Sequence, residues 1–397
     1  MTVLNDVVGR LLGLGDERHR PASAIAGVRI GLESQVEAGG WAVLPGPGTV
    51  GVPMTRQLAL DLASVTKVAS TTTLAMCLVA EGLLALKAPA RQYLPQFVGD
   101  ITVEQLLTHT AGLQPWWPLY CESRDRDSAL HRAQTLPPAT APGTTWKYSD
   151  LGMILVGLII ERVTTLSQAE AFRKLIADPL SLTASYGPIA PEQAVTSADS
   201  DAYEFQMIAT GRPYAVPFGT ETFDGWRDRS LRGEVNDGNA AHALGGIAGH
   251  AGLFGTVDDL LRLGTALQDG DLVGPEVLAR FATPTAVQPE QAVGFRRLQI
   301  TTSRGPLTLL HHGGFTGTFF AVGLERPVVI AGGAMRLYGT LGRTPSEFSG
   351  PTDLEGLDGM DGMDGMDGMV SGAEIQGMLL DGAIQLLDQS ATASEER

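Results

Sequence analysis

Ser64-Val65-Thr66-Lys67 has the residue types best suited to covalent chemistry. Residues three apart share one face of a helix, so a Lys67 amine can reach a Ser64 hydroxyl. A free hydroxyl is a weak nucleophile that an adjacent base activates. Lysine acts as that base only when burial or nearby positive charge brings its pKa well below its reference of about 10.4. The start of a helix adds partial positive charge and free N–H groups suited to an oxyanion. Ser-x-x-Lys also arises by chance as a solvated pair near a helix cap, so it carries function only in company.

Two further segments supply that company. Tyr148-Ser149-Asp150 follows Pro142-Gly143 and precedes an apolar run. A tyrosine in a loop beside the serine can relay its proton to a leaving group. His312-Gly313-Gly314-Phe315-Thr316-Gly317-Thr318 is the third segment. Glycines let a substrate backbone approach an edge strand, whose N–H groups can point at a carbonyl oxygen. A metal reading fails for want of ligands: His242 and His250 stand eight apart, and the chain has no His-Glu-x-x-His pattern. No metal or organic cofactor is expected.

The elements that position these residues follow from periodicity. Residues 25–32 and 41–44 read as short strands, with Gly39-Gly40 between them. From Ser64 to Gly82 the pattern is one long apolar helix, with Cys77 on its core face. Helices are expected over 103–107, stopped at Gly112, over 151–163, and over 257–267 with Thr256 as N-cap. Strands return at 298–302, 307–310, 318–324 and 328–331, and a helix over 373–387 follows. Strands at both ends with helices between imply an α+β fold. One antiparallel sheet is built from both chain ends, a mostly helical lobe is inserted, and the site lies between them. The expected division is a discontinuous lobe of 1–70 plus 290–397, a helical lobe of 71–289, and a flexible loop at 352–372. That loop holds an Asp-Gly-Met triplet repeated four times from Asp358 to Met369. Its acids recur every third residue, which does not fit a calcium loop.

Taken as a set, the three segments resemble the serine β-lactamase and penicillin-recognising family. There a Ser-x-x-Lys, a Tyr-x-Asn and a Lys-Thr-Gly motif surround one pocket. DLASVTKV, ITVEQLLTHTAGL, PGTTWKYSDLGMILVG, GGIAGHAGLFGTVDDL and HHGGFTGT all look like this family, over about Ile25 to Ala331. The branch with class C β-lactamases, D-alanyl-D-alanine carboxypeptidases, D-aminopeptidases and lactamase-like carboxylesterases is the most similar. The resemblance implies Ser64 as acylated nucleophile, Lys67 as general base and Tyr148 as second acid/base group. It implies backbone N–H groups of Ser64 and Phe315 as the oxyanion hole. His312 takes the place of the lysine, Gly314 keeps the strand edge open, and Gly313 is expected beside them at the substrate.

Two departures bear on substrate. Histidine at 312 is mostly neutral near pH 7, so it offers a substrate carboxylate no permanent charge. Asp150 stands where the family has asparagine, and a carboxylate there opposes a neutral Lys67. Either Asp150 points away from Lys67, or Tyr148 carries more of the base work. Trp116 and Trp117 are candidates for an aromatic wall, with packing between the lobes the favoured alternative. His109 reads as structural. Asn236-Asp237-Gly238-Asn239 reads as a loop near the cleft or an ordinary polar turn.

Composition bounds the rest. The chain has 397 residues, about two to three domains' worth, with 44% hydrophobic and 18% charged residues. A net charge of −16 argues against nucleic acid and anionic lipid as partners. Cys77 and Cys121 are too few for a disulfide scaffold, although one bridge stays open. No export signal or membrane-length apolar run is visible, so a cytoplasmic location is the expectation. The expected function is a serine hydrolase working through an acyl-enzyme on a small ester or amide, carboxylic esters first. D-alanyl carboxypeptidase, D-aminopeptidase or weak β-lactamase activity comes second. A non-catalytic binding protein on the same fold is the rival of another class.

Overall fold

The computed structural model describes residues 2–16, 19–123, 125–339 and 370–395. Its main sheet has seven antiparallel strands drawn from both ends of the chain. Across the sheet they run Val52–Pro53, Glu33–Val43, Ser23–Ile30, Val328–Ala334, Thr318–Gly323, Gly305–Gly313 and Arg296–Thr302. Strand side chains alternate between faces. Phe319 and Ala321 therefore join the core beneath the terminal helices Val3–Leu12 and Gly372–Glu395, while Phe320 and Val322 join the core shared with the central helices.

Two expectations are corrected. Gly39-Gly40 lies inside the second strand, paired with Ser23 and Ala24, and the hairpin turn is at Gly31-Leu32. The reason is close approach of the N-terminal helix, since a Cβ on Gly39 would lie 2.9 Å from Val8 Cγ1. The segment bearing Ser64 is not one regular α-helix. It is a 3-10 turn, Ala63–Val65, then a π-helical stretch, Lys67–Thr72, then an α-helix, Thr73–Ala80.

The segment Ala63–Ala80 has the length and mean hydropathy (1.3) of a membrane span, but 83% of it is buried within the fold as a core helix. The other helices begin where local caps place them. Thr102 and Thr256 each form a capping box, ahead of Val103–Leu107 and Val257–Asp269. The first of these ends before Gly112, with Thr108 as its C-cap. Cys77 and Cys121 are free thiols. The Asp-Gly-Met repeat lies outside the described residues.

Candidate active site

Ala63 enters the nucleophile turn with φ of 44°, a left-handed conformation that costs a non-glycine residue about 1–2 kcal/mol. Three hydrogen bonds hold it there. Asp61 Oδ1 accepts from Ala63 N at 2.9 Å, Thr316 Oγ1 donates to the Asp61 carbonyl at 2.9 Å, and Thr318 Oγ1 donates to the Leu62 carbonyl at 3.0 Å. In a tight turn, side chains three apart nearly eclipse. Lys67 Nζ accordingly donates to Ser64 Oγ at 2.8 Å.

Lys67 is completely buried. Its Nζ also donates to the His250 carbonyl at 3.1 Å and stands 2.7 Å from Asp150 Oδ1 as an ion pair. An ammonium has three donors and no lone pair. Three oxygens around one nitrogen are therefore the surroundings of a charged lysine. Asp150 faces Lys67, which excludes the arrangement in which it points away. The Tyr148 ring lies 5.0 Å from Lys67 Nζ, measured to the ring centroid.

Ser64, Tyr148, Asp150, Gly313, Gly314, Phe315 and Trp116 line one cleft of about 990 Å³, part of it open to solvent. Phe315 is fixed by Arg336, whose Nε donates to its carbonyl at 2.7 Å. Two expected substrate contacts are not brought into this set. Trp117 packs on Phe218 and Arg132, and its Nε1 donates to Glu122 Oε2 at 2.7 Å. His312 is buried against the Tyr148 ring, centroids 5.8 Å apart, and its Nδ1 meets the Gly313 carbonyl at 2.7 Å. Nor is its strand the sheet edge. Arg296–Thr302 flanks it as far as His311, and only its last residues run beyond that partner.

A family model for β-lactamases matches residues 10–341. The chain belongs to the β-lactamase family. It is 30% identical over 268 residues to the N-acetylmuramyl-L-alanine amidase of Bacillus subtilis (strain 168), covering 62% of this chain and 59% of that protein. It is 31% identical over 257 residues to esterase EstB of Burkholderia gladioli, covering 58% and 62%. The chain thus spans about three-fifths of the length of these curated relatives. Among solved structures, EstCE1, a hydrolase with promiscuous acyltransferase activity, superposes with a TM-score of 0.66 at 16% identity, over 96% of this chain and 98% of that one. The α+β architecture expected from the strand and helix pattern is the β-lactamase fold, and the family is one of hydrolases.

Several residues of this β-lactamase-fold site carry no sequence motif. Asp61 is buried, and its Oδ2 also accepts from Asn236 N at 2.7 Å. Burial pushes its carboxyl up to about 6. Asn239 side-chain atoms bridge Leu119 N and the Trp117 carbonyl, so the Asn236–Asn239 loop ties the helical region to the cleft. Asp201, Tyr203, Glu204, Tyr214 and Gln376 also line the cleft. Only the folded chain brings them to Ser64.

Gly314 meets a different need from the one expected. A Cβ there would lie 2.0 Å from Thr318 Oγ1 and 2.7 Å from the Leu62 carbonyl. Glycine is required so that this turn can pack on the nucleophile segment. Gly314→Ala is expected to lower stability by about 1–3 kcal/mol in urea unfolding, together with a fall in kcat as the Ser64 turn is displaced.

Acid should weaken the fold. Burial holds His109 and His311 at about 3, with Lys67 and Arg296 lowering His109 further and Arg296 lowering His311. Burial also keeps His312 well below its ordinary range. In the unfolded chain each histidine titrates near about 6.5, so unfolding below that pH takes up close to three protons. Asp61 and the buried Glu204 act in the opposite sense, because burial first of all raises both and unfolding releases their protons. The net is an uptake of about one proton on unfolding between pH 5 and 6. Stability should therefore fall as pH drops through that interval, by about 1.4 kcal/mol per unit from these groups. Urea midpoints at the two ends of the interval check it, and a rise in stability toward pH 5 would contradict the assignment.

Proposed function

We propose that this chain hydrolyses carboxylic esters through an acyl-enzyme on Ser64. The observation that carries the reading is the 2.8 Å hydrogen bond from the buried Lys67 to Ser64 Oγ, at the wall of a cleft. Ser64 Oγ bonds to the ester carbonyl carbon, and the developing oxyanion is held by the N–H groups of Ser64 and Phe315. Lys67 is already an ammonium paired with Asp150, so it positions Oγ and supplies positive charge. Tyr148, beside that charge, takes the Ser64 proton as it gives its own hydroxyl proton to the departing alkoxide. Water then adds to the acyl carbon, Ser64 leaves with a proton, and the acid is released.

Esters are favoured over β-lactams and peptides with a free carboxylate because the expected anion site is missing. His312 is buried and neutral where the family has lysine, and Arg336 is engaged by the Phe315 and Val370 carbonyls. Similarity to esterase EstB supports the same choice. The test compares p-nitrophenyl butyrate with nitrocefin. A larger kcat/KM on the ester is expected, whereas a much larger value on nitrocefin would overturn the ester preference. No turnover of either by the wild type would favour a binding protein on this fold.

A further inference from the structure

Asp61 ends the short strand Leu60–Asp61, just before the nucleophile turn, and its side chain is closed off from solvent. Its two oxygens hold two different parts of the site. Oδ1 accepts from Ala63 N at 2.9 Å and so fixes the left-handed residue that precedes Ser64. Oδ2 accepts from Asn236 N at 2.7 Å and so fixes the loop whose Asn236 and Asp237 line the cleft.

These two hydrogen bonds complete a ring around the nucleophile. Asp237 Oδ1 meets His250 Nε2 at 2.8 Å, the His250 carbonyl accepts from Lys67 Nζ at 3.1 Å, and Lys67 Nζ donates to Ser64 Oγ at 2.8 Å. Asp61 is the residue that joins the Ser64 turn to the loop side of that ring. An ionised carboxylate only accepts, and a backbone N–H only donates. One N–H on each oxygen therefore fits the ionised form alone. A proton on either oxygen makes it a hydroxyl facing a donor where water does not reach, and one of the two bonds is lost.

We propose that Asp61 is a positioning residue for acylation, and that turnover requires its carboxylate to be ionised so that the Ser64 turn and the Asn236 loop are held together. Its surroundings place the proton in an accessible range. Burial raises the carboxyl to about 6 against the lowering effect of the Asn236 and Ala63 N–H groups. Of the charged groups that face it, Asp237 raises it and Arg227 lowers it. The strand Leu253–Gly255 paired with it, and the turn at 316–318 bonded to its backbone and to Leu62, bring no titratable side chain.

This proposal rests on the reading of Ser64 as the acylated nucleophile, and the test separates the two. The probe is p-nitrophenyl butyrate, which has no titrating group, with kcat measured from about pH 5 to about pH 8. The wild type should lose rate in acid along a one-proton limb centred near about 6, with circular dichroism unchanged over the same range. Asp61→Asn presents an amide donor to one of the two N–H groups and so imitates the protonated state. Its kcat should lie at least about tenfold below the wild type at the alkaline end, with KM little changed and the acid limb gone. A loss of folded enzyme scales a whole profile and leaves its midpoint in place, so a structural role alone does not remove the limb. Glu204 is a second cleft carboxyl raised by burial, and the limb should stay in Glu204→Gln, which keeps the test decisive where Asp61→Asn does not fold. An active wild type with a flat profile, or a limb that follows loss of ellipticity, would overturn the role of Asp61 and leave the Ser64 reading intact. A limb that persists in Asp61→Asn or vanishes in Glu204→Gln would overturn it equally. No turnover by the wild type at any pH would count against the hydrolase reading, and this proposal would fall with it.

Discussion

Ser64→Ala is expected to lower kcat/KM on p-nitrophenyl butyrate by at least about 10⁴-fold, because removing a covalent nucleophile removes the whole acylation route. The fold should survive. Ser64 is incompletely buried, and alanine occupies the turn between Ala63 and Val65 without a new clash. Near-native thermal unfolding with the activity gone is the expected pair of results. Residual turnover within about tenfold of the wild type would place the nucleophile elsewhere.

Lys67→Met is expected to cost both activity and stability, and the two losses can be separated. Methionine fills most of the volume but leaves Asp150 without its cation, and Asp150 is only 17% exposed. Breaking a buried pair from one side costs about 3–5 kcal/mol, with a smaller figure expected here because Asp150 keeps some contact with solvent. The positive charge beside Ser64 and Tyr148 is lost at the same time, so kcat should fall by about 10³-fold or more. The double variant Lys67→Met/Asp150→Asn removes the stranded carboxylate. It should recover most of the stability in urea unfolding and none of the activity. Recovery of activity would show that Lys67 serves packing alone.

Much of the scaffold was legible because the relevant rules are local. Short β-rich runs separated by turn residues marked the strands from 298 to 331, and Thr256 ahead of Asp258 and Asp259 marked a helix start that the capping box confirms. The three-residue spacing of Ser64 and Lys67 foretold their contact even though the backbone between them is not a regular α-helix. What was hidden depends on tertiary geometry. The double glycine at 39–40 looked like a turn because a helix crossing above a strand leaves no mark on the strand's own pattern. Whether Asp150 faced Lys67 turned on how the start of the Asp150–Thr164 helix docks. Asp61 and Glu204 belong to no motif, and their importance appears only once burial and partners are known. His312 shows the converse, since its motif suggested a substrate contact while its side chain is buried against the Tyr148 ring, and Trp117 took the packing alternative against Phe218 and Arg132.

The central claim is that a covalent acyl group forms on one hydroxyl. Intact-protein and peptide mass spectrometry after a brief reaction with p-nitrophenyl butyrate, quenched in acid, tests it most directly. The expected result is a single added acyl mass on the peptide containing residue 64, absent from Ser64→Ala. An adduct mapped to any other residue, or turnover with no adduct under conditions where deacylation is slow, would contradict it.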